Sequence, residues 1–144
     1  MVRTLFPPLV LLLGACQPGG EAGVPGDRSD HRPFAEISAE EVLQLTGTEP
    51  FWGGEISGGT LTYTTPENVA GDRIAVKRFA GRGGVSFSGS WRDQPVDLMV
   101  TPGDCSDGMS DRSYPFFVTL KIGGETRNGC AWSAAQPFSG PEAP

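Results

Sequence analysis

Histidine is nearly absent from this sequence: His31 is the single one among 144 residues, and there are three cysteines. This scarcity removes most histidine-dependent catalysis and every zinc cluster built from Cys and His. Basic residues are also few, with 11 Lys and Arg against 17 Asp and Glu and a formal net charge of -6. Nucleic-acid-binding proteins normally carry a clustered basic footprint, so we expect no nucleic-acid partner.

Apolar runs of membrane-spanning length are also lacking. The apolar stretch near the N-terminus, residues 5–13, covers only about 14 Å as a helix, whereas a bilayer core is about 30 Å thick. A signal peptide over residues 1–15 is therefore predicted. The stretch ends in LGAC, which resembles the lipobox of bacterial lipoproteins. The resemblance implies that Cys16 becomes the mature N-terminus and carries lipid chains that anchor it in a membrane. An ordinary secretory peptide with a chance cysteine is the alternative.

A flexible tether is predicted after the leader. Residues 16–33 contain the lipidated cysteine and a segment rich in Gly, Pro and charge, which cannot bury enough apolar surface to fold. Such a tether spans roughly 23 Å. His31 lies here, and a solvated linker residue is favoured over a pH-sensitive or metal-binding one. Loss of the leader lowers the net charge to -7, so we expect membrane attachment through the lipid alone.

The start of the folded domain, which we place at residues 34–136, has two interpretations. Ser38 and Glu41 have the spacing of a helix capping box, which predicts a short helix. Leu43 and Leu45 alternate with polar residues, which predicts the beginning of a strand instead. Residues 137–144 are predicted to be a frayed tail.

Apolar and polar residues alternate with a period of two through most of the domain. Such alternation is typical of half-buried antiparallel strands. Gly58-Gly59 and Gly123-Gly124 suit tight hairpin turns. The sequence therefore predicts an all-β fold, a small antiparallel barrel or two-layer sandwich of seven or eight short strands. The alternating apolar residues are Leu61, Tyr63, Ile74, Val76, Val85, Phe87, Trp91, Val96, Leu98, Val100, Phe116, Val118, Leu120 and Ile122.

The remaining two cysteines, Cys105 and Cys130, predict one disulfide, because an even pair in an exported domain normally oxidises. Closing a loop of about 25 residues raises the free energy of unfolding by roughly 3–4 kcal/mol in the chain-entropy description. The bond would hold the 105–115 loop against the final strand. Two free thiols are the alternative.

The 105–115 loop, CSDGMSDRSYP, is the first candidate site. Its spacing does not fit the calcium loop D-x-[DN]-x-[DN]-G-x5-E, so no metal is expected. A carboxylate pair for glycoside hydrolysis is a weaker alternative, because any acidic chain supplies one. In the structural interpretation Asp side chains cap turns, Gly108 takes a positive φ and Arg112 pairs with a carboxylate. A binding surface formed by the loop is the remaining interpretation. The candidate residues are Asp107, Gly108, Met109, Asp111, Arg112 and Tyr114.

The second candidate site is formed by Glu49, Pro50, Phe51 and Trp52. Pro50 lacks a backbone donor and belongs at the start or edge of a strand. Neighbouring side chains face opposite sides of a strand, so we expect one of the two rings in the core and the other exposed. The exposed ring is either an anchor for a partner or part of the closure of the barrel end.

These two motifs carry a family resemblance. The runs GxEPFW and CSDGMSDRxYP, with LTY at 61–63 and GCA at 129–131, resemble a family of uncharacterised bacterial envelope lipoproteins, some of them associated with META/HslJ-type domains. The resemblance covers roughly residues 43–132. It implies an envelope β domain without an established activity, and it supplies no catalytic residues.

Anchor, tether and domain together predict a protein of the bacterial cell envelope that faces the periplasm. Gln17 after the lipidated cysteine favours the outer membrane by analogy with enterobacterial sorting. We expect a monomeric, non-catalytic module without a cofactor, which binds an envelope protein or a cell-wall ligand. A structural accessory protein without a soluble ligand is not distinguished from it by sequence.

Two further functions remain as alternatives. Membrane-bound inhibitors of c-type lysozyme are also small disulfide-stapled β-barrel lipoproteins, and an acidic chain suits a cationic target. Their Ser-Gly-x-x-Tyr motif is not completed by a tyrosine in the run SGGT at 57–60. A carboxylate-based hydrolase is the other alternative. A serine nucleophile would need Lys77 or Lys121 as its base, and both are expected to face solvent.

Overall fold

The computed structural model describes residues 31–141, and within them the protein is a closed antiparallel barrel of eight strands. The all-β prediction is confirmed, and of its two architectures the barrel is the correct one. The leader and Cys16 lie outside the described residues. No helix in the described part is long and apolar enough to cross a membrane. The strands are β1 Leu43–Gly47, β2 Gly53–Ser57, β3 Thr60–Thr65, β4 Asn68–Ala80, β5 Val85–Trp91, β6 Gln94–Cys105, β7 Tyr114–Ile122 and β8 Glu125–Trp132.

Each strand pairs with the next along the chain, and β1 pairs with β8 to close the barrel. Closure leaves no unpaired sheet edge. The two predicted glycine hairpins are present: Gly58 and Gly59 connect β2 to β3 with φ values of 52° and 77°, and Gly123 and Gly124 connect β7 to β8 with 58° and 80°. These left-handed conformations match the twist of the flanking strands, which explains why a two-glycine turn suffices.

The alternating apolar residues fill the barrel interior. Several are completely buried, among them Leu43, Leu61, Leu98, Phe116 and Leu120. Truncating such a side chain to alanine costs about 2–5 kcal/mol, so this interior accounts for much of the stability of the fold. Ile37, which precedes β1, is buried with them and closes one end of the barrel.

The alternative of a two-turn helix, which would begin at the Ser38 cap and end near Gly47, is not formed. The Glu41 carboxylate does accept the Ser38 N–H at 3.1 Å, as in a capping box, but it also holds the Ser133 hydroxyl beyond β8. The chain then enters β1 directly, because Leu43 and Leu45 belong to the barrel interior. Tertiary burial of the two leucines thus outweighs the local helix signal.

A second, smaller apolar cluster lies on the outer surface of the barrel. Ala131 of β8 belongs to the interior, so the flanking Cys130 and Trp132 face outwards. Cys105 is joined to Cys130 by a disulfide with a Cα–Cα distance of 5.7 Å, which confirms the predicted pairing. Tyr114 packs against Trp132, with ring centroids 5.3 Å apart. The loop between β6 and β7 is therefore held along the outside of β8.

The first part of the predicted tail packs against this outer cluster instead of fraying. Phe138 contacts Tyr114 and Trp132, with ring centroids 5.7 Å away in each case. Ser139 forms a pair of backbone hydrogen bonds with Ser113, of 2.9 and 3.0 Å. The aromatic side chain explains the difference, because Phe138 finds an apolar surface that exists only once the barrel and its outer loop have formed.

Candidate functional site

The loop between β6 and β7 is organised by the carboxylate of Asp107, which is buried. Its Oδ1 accepts the backbone N–H groups of Met109 and Ser110 at 3.0 and 2.9 Å. Its Oδ2 accepts the Ser110 hydroxyl at 2.8 Å and the Tyr114 hydroxyl at 3.1 Å. Gly108, in the middle of this turn, has a φ of 70°. The interpretation of Asp107 and Gly108 as turn-forming residues is confirmed.

These hydrogen bonds determine the charge of Asp107. Burial by itself would raise the pKa of this carboxyl, but the donors from Met109, Ser110 and Tyr114 lower it to about 2. Asp107 is therefore ionised at neutral pH and unsuited to act as a general acid, which requires a raised pKa. Its role is to fix the shape of the loop.

The connection between β1 and β2 is built around Trp52, which is 5% exposed. Its indole Nε1 donates a hydrogen bond to the Asn128 carbonyl at 3.0 Å, and the backbone N–H of Thr48 donates to the same oxygen at 3.0 Å. A Cβ on Gly47 would lie 2.0 Å from the indole ring, so glycine is required at the start of the motif. Phe51 is 47% exposed, which confirms that one ring of the pair is buried and the other is not.

The structure brings the two candidate motifs together in one shallow groove. In a simple eight-stranded meander, the β1–β2 and β6–β7 connections lie at opposite ends. They meet here because the disulfide holds the β6–β7 loop along the outside of β8, the strand beside β1. The groove has a volume of about 400 Å³, and its lining residues are Thr48, Glu49, Phe51, Ser106, Asp107, Gly108 and Met109.

Phe51 stands at the centre of a wider surface. Besides the groove with the acidic loop, it borders one lined by Pro66, Glu67 and Arg127 and another lined by Pro66 and Val69. We call the exposed residues Glu49, Phe51, Pro66, Glu67, Val69 and Met109 the Phe51 surface. Met109 is 57% exposed and Val69 is 82% exposed, so large apolar side chains face solvent on either side of Phe51.

Charge on the Phe51 surface is mainly negative. Glu49 and Glu67 are exposed beside the apolar side chains. Arg127 lines the same groove as these two carboxylates, but its guanidinium already bonds the Glu125 carboxylate at 2.8 Å and lies 5.9 Å from the centre of the Tyr63 ring. The surface therefore combines an apolar centre with a carboxylate rim.

The other predicted residues lie beside the groove, where they support the loop. Tyr114 is buried in the outer cluster. Arg112 places its guanidinium 4.4 Å from the centre of the Phe138 ring, and its Nε donates to the Pro141 carbonyl at 2.7 Å. Asp111 is exposed. Within residues 31–141, no group of three or more His, Cys, Asp and Glu side chains is placed to hold a metal ion.

Sequence reasoning missed the residues contributed by other strands. Pro66 in the β3–β4 turn and Val69 near the start of β4 complete the Phe51 surface, and Asn128 of β8 supports it. Val69 carried a usable signal in the sequence, because it is a large apolar residue among small and polar neighbours. Asn128 carried none, since it acts through its backbone carbonyl.

Comparisons of the chain with known protein families, with curated proteins and with solved structures find no match. The class of protein is therefore defined by its own fold and site: a closed eight-stranded barrel with a disulfide-stapled loop on its outer face. The resemblance to envelope lipoproteins stays a prediction, which rests on the two motifs with LTY at 61–63 and GCA at 129–131. The residues of the two motifs now have physical roles, as the corner around Trp52 and the turn around Asp107.

Proposed function

We propose that this protein is a lipid-anchored module of the bacterial cell envelope that binds a partner, without catalysis, through the Phe51 surface. The observation that carries the proposal is the meeting of two distant motifs in one groove with Phe51 and Met109 exposed at its rim. Exposed, clustered large apolar side chains rimmed by polar groups are characteristic of interaction sites.

Rigidity of the surface supports a binding role. The Asp107 hydrogen bonds and the disulfide hold one side of the groove, and the Trp52–Asn128 hydrogen bond holds the other. A preformed surface loses less conformational entropy when a partner binds, so more of the contact energy appears as affinity.

The chemistry of the surface suggests the class of partner. Its apolar centre suits an aliphatic or aromatic anchor, and Glu49 and Glu67 suit basic groups beside that anchor. The overall net charge of -6 favours approach of a cationic protein. We therefore propose a basic envelope protein as the partner, with a cell-wall ligand as an alternative.

Anchoring rests on the leader and on Cys16. The proposed lipid at Cys16 places the domain on the periplasmic side of the envelope, at the outer membrane. No cofactor enters the proposal. The lysozyme-inhibitor alternative uses the same acidic surface and is tested by the same variants.

The test is a pull-down from detergent-solubilised envelopes with the full chain as bait. We compare the natural protein, Phe51→Ser, and the matched control Phe79→Ser, which alters an exposed phenylalanine on β4. A basic protein that is retained by the natural and control baits and lost with Phe51→Ser supports the proposal. Equal recovery by all three contradicts it.

A titration with c-type lysozyme follows with the same three proteins. Saturable inhibition by the natural and control proteins, abolished in Phe51→Ser, would favour the inhibitor function. Absence of inhibition at micromolar protein would exclude the inhibitor function. The binding proposal would then be decided by the pull-down alone.

A further inference from the structure

A second exposed apolar patch lies on the outer face of strands β4–β7, away from the Phe51 surface. Phe79 is 69% exposed, Met99 is 53% exposed and Phe117 is 45% exposed. Phe79 of β4 pairs with Ser86 of β5, and Ser86 pairs with Met99 of β6. Phe79 and Met99 therefore lie in one row across three strands. Phe117 lies on the neighbouring strand, diagonally adjacent to Met99. The patch spans about 14 Å, or three strand spacings.

Basic side chains surround this patch. Lys77 and Lys121 are exposed in the next row of the same strands, and Arg82 lies in the turn that follows β4. The carboxylates near the patch are Asp97, which accepts the Ser88 hydroxyl at 2.8 Å, and Asp104. Asp97 lies directly opposite Lys121, and Lys77 and Lys121 supply exposed cations beside the patch, although the whole chain has a net charge of -6.

The described chain begins beside the same face. The Phe34 N–H donates a hydrogen bond to the Gly81 carbonyl at 2.7 Å, and Gly81 directly follows β4, two residues after Phe79. Thirty residues precede His31 in the sequence, and Cys16 is among them. An anchor at Cys16 would hold this part of the domain within a tether length, roughly 23 Å, of the bilayer.

We propose that the β4–β7 face, meaning Lys77, Phe79, Met99, Phe117 and Lys121, rests on an anionic phospholipid surface. The rings and the thioether enter the headgroup boundary, and the lysines reach the lipid phosphates. Each lysine near an anionic surface raises the membrane-binding constant about fivefold. In this proposal attachment involves a protein face as well as the lipid, which replaces the expectation from net charge that the lipid acts alone.

This arrangement also orients the binding site. In a closed barrel of eight strands, β5 and β6 lie across from β1 and β2. With the outer face of β5 and β6 on the bilayer, the Phe51 corner between β1 and β2 lies on the far side of the barrel from the membrane. A partner in the periplasm could then reach the Phe51 surface without displacing lipid. The inference goes beyond the proposed binding function and shares with it only the anchor at Cys16.

The experiment uses the full chain, expressed in a bacterial host that acylates lipoproteins, and purified into vesicles. Met99→Cys carries a nitroxide spin label, and Val69→Cys carries the same label as the matched control on the Phe51 surface. The vesicles contain either phosphatidylethanolamine with phosphatidylglycerol or phosphatidylcholine alone. Collision with oxygen reports contact with lipid, and collision with a water-soluble nickel chelate reports contact with water.

In the vesicles with phosphatidylglycerol, we expect the label at position 99 to favour oxygen severalfold over the chelate and the label at 69 to favour the chelate. Adding Lys77→Glu and Lys121→Glu, or using phosphatidylcholine alone, should return the label at 99 to water. If the labels at 99 and at 69 are equally accessible to the chelate in both kinds of vesicle, the proposal is overturned. Spin–spin broadening that grows with protein density also overturns it, because it indicates contact with a second copy.

Failure of the anchor gives a different result. If Cys16 carries no acyl group by mass and the protein does not associate with either vesicle, both the anchor and the docking face are contradicted. Acylated, vesicle-bound protein with a water-exposed label at 99 contradicts the docking face alone.

Discussion

The Tyr114 hydroxyl donates a 3.1 Å hydrogen bond to Oδ2 of Asp107 and so connects the acidic loop to the outer apolar cluster. The tyrosine ring is buried against Trp132 and Phe138, and its hydroxyl needs a partner because an unpaired buried hydroxyl is costly. Asp107 provides that partner and two backbone contacts as well. The shape of the groove beside Phe51 thus depends on packing on the outside of the barrel.

Asp107 should make stability depend on pH in the acid range. Its pKa is about 2 in the folded protein, against 3.8 for the unperturbed group, so the unfolded chain binds the proton more readily. The contribution is present above about pH 4 and is lost as the pH falls through 2, and it amounts to about 2 kcal/mol. Urea unfolding of the natural protein and of Asp107→Asn at pH 5 and pH 2.5 measures it.

We expect Asp107→Asn to be less stable at pH 5 and to lose less stability on acidification than the natural protein. Asp111→Asn, a neighbouring exposed position, is the control and should keep the natural pH dependence. If Asp107→Asn and the natural protein lose the same free energy of unfolding between the two pH values, the hydrogen-bonded carboxylate is not the cause.

The disulfide should be a large part of the stability of the domain. Cys105 and Cys130 close a loop with a sequence separation of 25. Cys105→Ala with Cys130→Ala should lower the free energy of unfolding by about 3 kcal/mol, because the unfolded chain gains conformational freedom. Thermal unfolding followed by circular dichroism measures the effect. An unchanged melting temperature in the double variant would show that the bond contributes nothing.

Acylation of Cys16 is a separate prediction from the sequence. Cys16→Ala should abolish incorporation of labelled fatty acid and release the domain from membranes, because the thioether-linked lipid is absent. The Cys105→Ala, Cys130→Ala protein is the control and should still be labelled. Fatty acid in the Cys16→Ala protein, or its retention in the membrane fraction, would mean that the LGAC run is not a lipobox.

The sequence predicted the barrel strands well, because alternation at residues such as Val96, Leu98 and Val100 reports directly on a face buried inside the sheet. The strand β1 was ambiguous, since the signals of Ser38 and Glu41 are local whereas the burial of Leu43 depends on the closed barrel. Local rules could not decide between them.

The candidate site was predicted residue by residue but not as a surface. Phe51 and Met109 were each singled out, yet the two connections belong to opposite ends of a simple meander. The two connections meet because the β6–β7 loop lies along the outside of β8. The loop is held there by packing against an outer cluster that includes Trp132 and Phe138. Such long-range packing leaves no pattern in a single sequence.

Gly47→Ala is expected to distort the Trp52 corner. The new Cβ would lie 2.0 Å from the indole Cδ1, far inside van der Waals contact, so the ring or the strand must move. Overpacking of this kind costs about 1–3 kcal/mol. It also strains the 3.0 Å hydrogen bond from the Trp52 indole to Asn128. Urea unfolding and tryptophan fluorescence of the folded protein measure both effects.

Gly83→Ala is the matched control, because a Cβ at this position in the β4–β5 turn meets no atom within 4 Å. Its stability should stay within about 0.5 kcal/mol of the natural protein. Since Phe51 directly precedes Trp52, the Gly47 variant should also lose partner retention in the pull-down, whereas the Gly83 variant should keep it. A Gly47→Ala protein with natural stability and fluorescence would mean that the corner accommodates a side chain. The glycine of the GxEPFW motif would then need an explanation other than close contact with the indole.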